Sequence, residues 1–586
     1  VAQADLSEAY QIEDWSTRGW FVYNTLRTTA EQSQAQVKAY LDKAGLSYES
    51  YFNGNEVYVR AGTMEAVTDL AALPEVAAIR TPRTGYVDPM VSEAPSAPEG
   101  PDTLAWGIDW VEADEFWAAF GIQGEGIVVA NIDTGVQWDH PALDQAYRCA
   151  ANPTDLSCWY DPSNSCGGTV CDNNGHGTHT MGTMVGDDDP SLTWQAGMAP
   201  NAQFIMCKGC ETTSCSDASL NACADWILAP GGNPANRPNI VNNSWGGGGG
   251  DAWYQAKVQA WRASGIFPAF SAGNSTGCSS LGSPGDYQES FATTGHDSSR
   301  NHAWAQGPSA FGHDPYTKPN ISGPSINVCS TVPTNSWSCG YSGTSMASPH
   351  TAGAVALLWS CNPSLIGQLD LTFEALQNSA DAPDPANPTC GVPPDGEGTY
   401  EDGYGYLNVY QAGLLNCGDV ALGHMDGYVY DTGGNPLEGA TINAAPVARS
   451  IDAVTDPTGY YTMTLTPGTY DVTASKNGYT PQTVTDIEIV TDTVTSQDFA
   501  LEFQGTWLPG PSMCFDLTRI DAEYFPATGK VYILGGRSDA TTVGDIYEFD
   551  PVTQVCADTG ANMPTPISNY TVNLVNDGTN DLLCTF

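Results

Sequence analysis

The apolar and polar positions of this chain change their rhythm several times. Over residues 18–86, short runs rich in aromatic and β-branched residues ("RGWFVYNTLR", "YESYF", "EVYVRAG", "EVAAIRTP") are separated by two stretches of helical period ("AEQSQAQVKAYLDKAG", "MEAVTDLAAL"). The order strand, helix, strand, strand, helix, strand predicts an α+β, ferredoxin-like unit. "VDPMVSEAPSAPEGPD", residues 87–102, has no periodicity and is rich in Pro and acid, which reads as a linker. From Trp106 to about Cys417, buried-type apolar runs ("GIVVANI", "AQFIMCK", "NIVNNSW", "IFPAFSAG") alternate with helical segments. That alternation predicts an α/β domain with a parallel sheet. Beyond Val420 the helical signals stop, and short β-rich runs between Gly, Pro and Asp turns predict a β-sandwich to about Leu501. Residues 503–586 are β-rich again, and "GKVYILGG" at 529–536 is echoed about fifty residues later by "NDLLCTF", a period expected of propeller blades. The resulting division is 1–86, a linker at 87–104, 105–418, 419–502 and 503–586.

Composition narrows the functional classes. A chain of 586 residues is too long for one core, in keeping with several units. Its net charge of -48, from 67 acidic residues against 19 Lys plus Arg, argues against a nucleic-acid or anionic-membrane partner. Of 17 cysteines none precedes Cys149, 14 lie from Cys149 to Cys417, and Cys514, Cys556 and Cys584 follow. Such clustering points to disulfides, an oxidising compartment and a secreted protein. Cys166/Cys171 and Cys329/Cys339 are the evident local pairs, and the remaining connectivity stays open. No run of twenty apolar residues is present to span a membrane. Val1 opens no basic-then-apolar segment, so a signal peptide is expected to have been removed already.

The tripeptide Asp-Thr-Gly occurs at Asp133, Asp431 and Asp558, and two protease chemistries use it. In one, two aspartates share a proton and activate water; in the other, one aspartate orients a histidine that activates a serine. Shared-proton chemistry needs two similar loops, yet Asp431 and Asp558 lie in turn-rich β segments unlike the α/β surroundings of Asp133. The serine chemistry finds its parts. "NNGHGTHTMGTMVG" sets His176 between glycines at a helix N-terminus, and "GYSGTSMASPHTAGAVALL" sets Ser345 at the start of an apolar helix. The order Asp, His, Ser is the subtilisin order.

With "APNAQFIMCK", "NNSWGGG", "FSAGN" and "KPNISGPSINVCS", residues 105–415 resemble the subtilisin-like serine proteases. The resemblance implies that Ser345 attacks the scissile carbonyl, His176 takes its proton and Asp133 fixes the imidazole tautomer. It implies that Asn274 and the Ser345 N–H stabilise the oxyanion. It places Ser244, Trp245 and Gly246 on the edge that pairs with an extended substrate, and Gly282 near the floor of the specificity pocket, with room for a large apolar side chain. Gly248 to Gly250 read as a flexible loop.

Other readings of the same residues are weaker. Cys171, His176 and His179 could be drawn as a zinc cluster, but the serine motif accounts for them better; no metal site is expected. His179 and His350 read as packed helix residues. Asn242 and Asn274 begin Asn-X-Ser/Thr sequons where a glycan would block the cleft, so those matches read as accidental. The chain departs from the family at Ser322, Gly323, Pro324 and Ser325, and Ala142 replaces a frequent calcium-ligating aspartate. The chemistry requires no cofactor. Calcium is left with "GDDDP" at 186–190, which otherwise reads as solvated surface.

Residues 18–86 resemble the inhibitor-type propeptide of the subtilases, which implies a proenzyme whose own propeptide occupies the cleft. Residues 420–501 resemble the carboxypeptidase regulatory-like domain, through "PLEGATI" and "TDPTGYYTM", and the terminal segment resembles a kelch repeat through "TGKVYILGG" and "IYEFDPVT". These β modules are read as docking or spacing units for a surface or partner protein. A closed propeller needs roughly four to eight blades, so the last segment, one blade and part of another, is expected to belong to a longer protein. The expectation is a secreted serine endopeptidase acting on proteins or peptides; the rival is a surface-assembly or binding protein whose protease acts mainly in self-processing. The chemistry is separable from the two-aspartate alternative. Ser345→Ala is expected to abolish proteolysis of a peptide substrate, whereas Asp431→Asn and Asp558→Asn leave it nearly intact and pepstatin-type inhibitors have no effect.

Overall fold

The computed structural model describes residues 3–87, 103–187, 194–304, 306–312, 316–383, 389–394, 396–418, 423–445, 451–465, 468–490, 493–503, 522–525, 528–538, 541–551, 555–563, 565–566, 572–576 and 581–585. Beyond Val87, the linker up to Asp102 lies outside the described residues, as do Asp188, Asp189 and Pro190 of the acidic run.

The first expected strand is a helix. Residues Trp15–Ser33 form α1, capped by the Asp14 carboxylate, which accepts from the Thr17 N–H at 2.8 Å. Arg18, Val22, Leu26 and Ala30 are buried at intervals of four, one helical face. The aromatic run Trp20–Tyr23 suggests a strand by propensity, but tertiary burial of that face decides otherwise. Helix α2 (Ala35–Ala44), strands β1 (Tyr48–Tyr51) and β2 (Glu56–Val59) and helix α3 (Met64–Ala71) follow. β1 and β2 pair antiparallel, Tyr48 opposite Val59. "EVAAIRTP" is not a strand either; with a helix in place of the first strand, the hairpin is a two-stranded sheet. The ferredoxin-like order is therefore corrected to helix, helix, hairpin, helix.

α1 packs on the following domain. Val22 and Leu26 belong to the large core cluster, not to the small cluster of Val37, Leu41 and Leu70. Buried Arg18 donates to the carbonyls of Ala263 (2.6 Å), Gly367 (3.0 Å) and Arg262 (3.0 Å). The Arg237 guanidinium lies 3.7 Å from the centroid of the Trp15 ring. At Gly19 a Cβ would come within 2.3 Å of Arg237 Nη1, so a side chain there would have to displace that guanidinium.

The α/β domain is built on seven strands: β4 (Val128–Asp133), β5 (Trp159–Tyr160), β6 (Gln203–Lys208), β8 (Ile240–Asn243), β9 (Phe267–Ser271), β10 (Phe291–His296) and β11 (Ile321–Pro324). Their order is β11-β10-β9-β8-β4-β6-β5, every pair parallel. The strands of this sheet read as near-continuous buried runs because both faces are covered. Helices α4 (His176–Val185), α5 (Asp217–Leu228), α6 (Gln255–Ala263) and α7 (Thr344–Cys361) supply the cover, with α7 lying against β8 to β11. Seven disulfides tie this domain: Cys149–Cys158, Cys166–Cys171, Cys207–Cys223, Cys210–Cys215, Cys278–Cys390, Cys329–Cys339 and Cys361–Cys417. Both locally expected pairs are among them.

Charged groups join the N-terminal unit to α5 and α6. Glu56 bridges Arg80 (2.8 Å) and Lys257, and Arg80 reaches Asp217 at 2.6 Å. The Asp225 carboxylate accepts the N–H groups of Phe52 (3.1 Å) and Asn53 (2.7 Å), and burial pushes its pKa up to about 8. Strand β3 (Thr84–Tyr86) then runs antiparallel to β7 (Ser214–Ser216), with Gly85 opposite Cys215. On its other edge Tyr86 and Gly246 exchange two backbone hydrogen bonds, at 2.9 and 3.0 Å.

Residues 423–503 form two packed sheets, one of five strands around Gly423–Asp431 and one of four around Gly468–Ser475. They share a core of Met425, Val429, Ile442, Val472, Phe499 and Leu501, which is the expected sandwich. Residues 522–562 make a four-stranded antiparallel meander, followed by a pair, Val572–Asn576 with Asp581–Thr585.

Truncating Arg18 leaves three carbonyls without their donor. Arg18→Ala is expected to weaken the docking of α1 by about 2–4 kcal/mol, seen as faster amide exchange over 22–33 with exchange in the seven-stranded sheet unchanged.

Candidate active site

Asp133 ends β4, and its buried carboxylate has donors on each oxygen. Oδ1 accepts from the Thr134 N–H at 2.7 Å and lies 2.8 Å from His176 Nδ1, while Oδ2 accepts from Thr180 Oγ1 at 3.3 Å. His176 is the first residue of α4 and is also fully buried. In that bond Nδ1–H donates to the carboxylate, so Nε2 is the nitrogen available as a base whenever the ring is neutral. The glycines of both motifs have a steric cause. A Cβ on Gly135, at φ +111°, would sit 1.9 Å from the Cys171 carbonyl, and one on Gly177 would sit 2.1 Å from the Gly135 carbonyl. The two loops cross backbone on backbone.

Ser345 lies in the first turn of α7, which packs beside α4. Its hydroxyl donates to the Ser244 carbonyl at 3.3 Å, and Ser244 Oγ donates to the Ser345 carbonyl at 2.9 Å. Asn274 points its Oδ1 at the same turn, accepting from Thr344 N (2.7 Å) and Oγ1 (2.9 Å). Its amide nitrogen is 2.8 Å from where a Cβ on Gly343 would stand, beside the backbone leading to Ser345. Trp245 is buried, and Gly246 carries the pairing to Tyr86. Gly282 lies close against the Gly247 carbonyl, 2.6 Å from where a Cβ would stand, and both border a cavity of about 350 Å³ bounded also by Gly273, Asn274 and Ser280. Gly248 to Gly250 are exposed. Gly246, Asn274 and Gly282 thus line one cavity, Ser244 and Asn274 hydrogen-bond to the turn that carries Ser345, Trp245 packs in the core beneath, and Asp133 and His176 form a buried pair where α4 packs beside α7.

Asp431 and Asp558 stay with local turns: Asp431 accepts from Gly433 N and Asn435 N, and Asp558 from Gly560 N, each at 2.8 Å. Cys171 is in a disulfide, which removes the zinc alternative. Among the described residues no three His, Cys, Asp or Glu side chains cluster to hold a metal. Asn242 and Asn274 are both engaged by neighbouring polar groups, and Asn242 is fully buried, no place for a glycan.

Several supporting residues carry no short motif. Asp172 accepts from Thr134 Oγ1 (2.9 Å), Gly175 N (2.8 Å), Thr178 N (2.8 Å) and Thr178 Oγ1 (2.7 Å), placing an anion at the N-terminus of α4. Lys208, opposite Asp133 in register on β6, donates to the Thr134 carbonyl and to Asn173 Oδ1, and burial pulls its pKa down. A buried polar chain runs from Asp133 through Thr180, Asn131 (2.7 Å) and Asn242 (2.9 Å) to Ser348 (2.7 Å) on α7. Asp172 lies three residues before the N-cap Gly175, outside the capping position, so no spacing rule singles it out in the sequence.

The geometry is that of a subtilisin-type fold, with an Asp-His pair at the end of an inner strand and a serine at the head of the facing helix. The subtilase family profile matches residues 124–395, and that of the carboxypeptidase regulatory-like domain matches 424–502. The chain belongs to the subtilase family and is a peptidase. It is 36% identical over 438 residues to Bacillopeptidase F of Bacillus subtilis (strain 168), which covers 70% of this chain and 29% of that protein. It is 32% identical over 268 residues to Subtilisin DY of Bacillus licheniformis (45% of this chain, 87% of that one). Against Subtilisin E of Bacillus subtilis (strain 168) the identity is 27% over 354 residues, 60% and 82% of the two chains. The chain therefore spans less than a third of Bacillopeptidase F.

Two further histidines flank the cleft and are held neutral. Burial pulls His179, stacked on Tyr341 at 4.1 Å, down to about 3, and His350, whose Nδ1–H donates to the Met346 carbonyl at 2.8 Å, down to about 4. Both folded values lie below the ordinary 6.5, so the unfolded chain takes up these protons first. Their stabilising contribution is complete above pH 6.5 and is lost as pH falls toward 4 and 3. His350→Gln, which cannot charge, is expected to shift acid unfolding to lower pH and to reduce proton uptake on unfolding at pH 5 by about one proton, measured from the pH dependence of stability.

Proposed function

We propose that this chain is a secreted serine endopeptidase made as a proenzyme, with Asp133, His176 and Ser345 as its triad. The single observation that carries the reading is the fully buried Asp133–His176 hydrogen bond of 2.8 Å beside a helix whose first turn presents Ser345. Asp133 is placed to hold the imidazole with Nε2 basic and to stabilise the imidazolium as His176 takes the Ser345 proton. The alkoxide attacks the scissile carbonyl; the oxyanion receives the Ser345 N–H and the Asn274 amide, whose orientation is fixed by the two bonds from Thr344 to Oδ1. His176 then protonates the leaving amine, and water hydrolyses the acyl-enzyme by the same steps reversed. No cofactor enters this chemistry.

The proenzyme role rests on β3. An extended strand of the same chain, hydrogen-bonded to β7 on one edge and to Gly246 on the other, lies where a substrate strand would pair. Residues 1–86 are read as the inhibitory propeptide, and the cut is placed between Tyr86 and Trp106. Seven disulfides, and the absence among the described residues of a helix long and apolar enough to cross a membrane, fit an extracellular setting. The sandwich and the four-stranded meander, read as one kelch-type blade, are assigned to docking or spacing against a surface or partner protein.

A fluorophosphonate probe followed by peptide mapping tests the reading. It is expected to label Ser345, and Ser345→Ala is expected to abolish labelling, casein hydrolysis and cutting of the linker together. Labelling at another serine, or hydrolysis surviving the substitution, would overturn the triad; linker cutting without casein turnover would leave only self-processing.

A further inference from the structure

We infer that the cleft selects glycine at the substrate position that β3 fills with Gly85, because Trp245, Leu220 and Cys215 close the wall facing it. The inference deepens the proposed endopeptidase reading and rests on it. Along β3 and the residue after it, Thr84 and Tyr86 face outward, Tyr86 being 53% exposed, whereas Gly85 and Val87 are buried. Alternation of this kind presents every second side chain to the enzyme. At Val87, 5% exposed, the cleft encloses a branched apolar side chain. At Gly85 it encloses none: a Cβ there would stand 3.1 Å from Trp245 Cε3, 3.3 Å from Leu220 Cδ1 and 3.6 Å from Cys215 Cβ. The glycine is needed for space and not for backbone shape, since its φ lies outside the left-handed region.

The wall is built so that it does not give. Trp245 is 1% exposed, its ring edge-on to Tyr254 at 5.1 Å and to Phe270 at 6.0 Å, and tilted against Trp253 at 6.4 Å. Leu220 is fully buried on α5, and Cys215 is fixed to Cys210 by a disulfide. Nor can the strand lift away. Gly85 is flanked by pairing on both edges of β3, to Ser214 and Ser216 on one side and through Tyr86 to Gly246 on the other. A methyl meets contacts a few tenths of an ångström too close, and a longer side chain meets three packed groups at once. The substrates implied are extended segments carrying glycine with an apolar residue two positions toward the scissile bond, the spacing of Gly85 and Val87.

Two measurements on the whole protein test this. In the full chain carrying Ser345→Ala, which keeps the linker intact, amide exchange at Tyr86 and Val87 reports whether β3 is seated. Gly85→Ala is expected to speed that exchange by roughly fivefold and Gly85→Leu by roughly a hundredfold. Adding Trp245→Ala, or Leu220→Ala should the first variant not fold, is expected to restore protection to the Gly85→Leu strand. With the processed wild-type protein, peptides of sequence 80–92 extended past the cut are to be compared with Gly, Ala, Leu or Phe at the Gly85 position. kcat/KM is expected to fall in the order Gly, Ala, then Leu and Phe. Equal protection for Gly and Leu in the full chain, or Leu and Phe peptides cleaved as well as Gly, would overturn the inference while leaving the endopeptidase reading intact. Failure to cleave any peptide or casein would instead sink that reading, and the exchange series would still decide the fit at Gly85.

Discussion

A carboxylate buried at the end of an inner strand of the parallel sheet is the constraint around which the rest is arranged. Asp133 is fully enclosed, and a charge in such a place is tolerable only when its oxygens are met by donors. Thr134, His176 and Thr180 meet them, and each of the three must be brought from a different part of the chain or held in a tight turn. The requirement explains why β4 and α4 approach so closely that glycine stands at both crossing points, and why Asp172 and Lys208 brace the same turn from either side. It also ties α4 to α7, through Asn131 and Asn242, so that the serine-bearing helix is referenced to the aspartate rather than to the surface.

The helices that cover the sheet also receive the N-terminal unit. The hairpin leans on α5 and α6 through paired charges, and the chain then enters the cleft as a strand with partners on both edges. Burying Lys257 and Asp217 is tolerated because each has an opposite charge within hydrogen-bond reach, from the partly exposed Glu56 and Arg80.

Asp133, His176 and Ser345 were legible because each lies in a dense local motif whose glycines and small residues are themselves required by close packing. Asn274 and Ser244 followed from shorter motifs. Asp172, Lys208, Asn131 and Thr180 were not legible as site residues, since their roles depend on which strands become neighbours. The parallel sheet was written in continuous apolar runs, and the sandwich in alternation between turns. The first strand was misread because Trp20, Phe21, Val22 and Tyr23 favour extended backbone, whereas the decisive signal was the four-residue spacing from Arg18 to Ala30. Cys166–Cys171 and Cys329–Cys339 were readable from proximity; Cys278–Cys390, 112 residues apart, depends on the fold bringing the loop after Asn274 to the far end of the domain.

Arg18 has a kinetic meaning beyond its hydrogen bonds. The N-terminal unit holds the peptidase domain at one point through α1, at a second through the hairpin and at a third through β3. If the chain is severed after Val87, each detached contact is still carried at high local concentration by the other two. Departure then requires all three to be open at once, so its rate scales as a product of small opening probabilities and not with the weakest of them. Cutting and release become separate events, and the interval between them is set by all three anchors together, Arg18 among them.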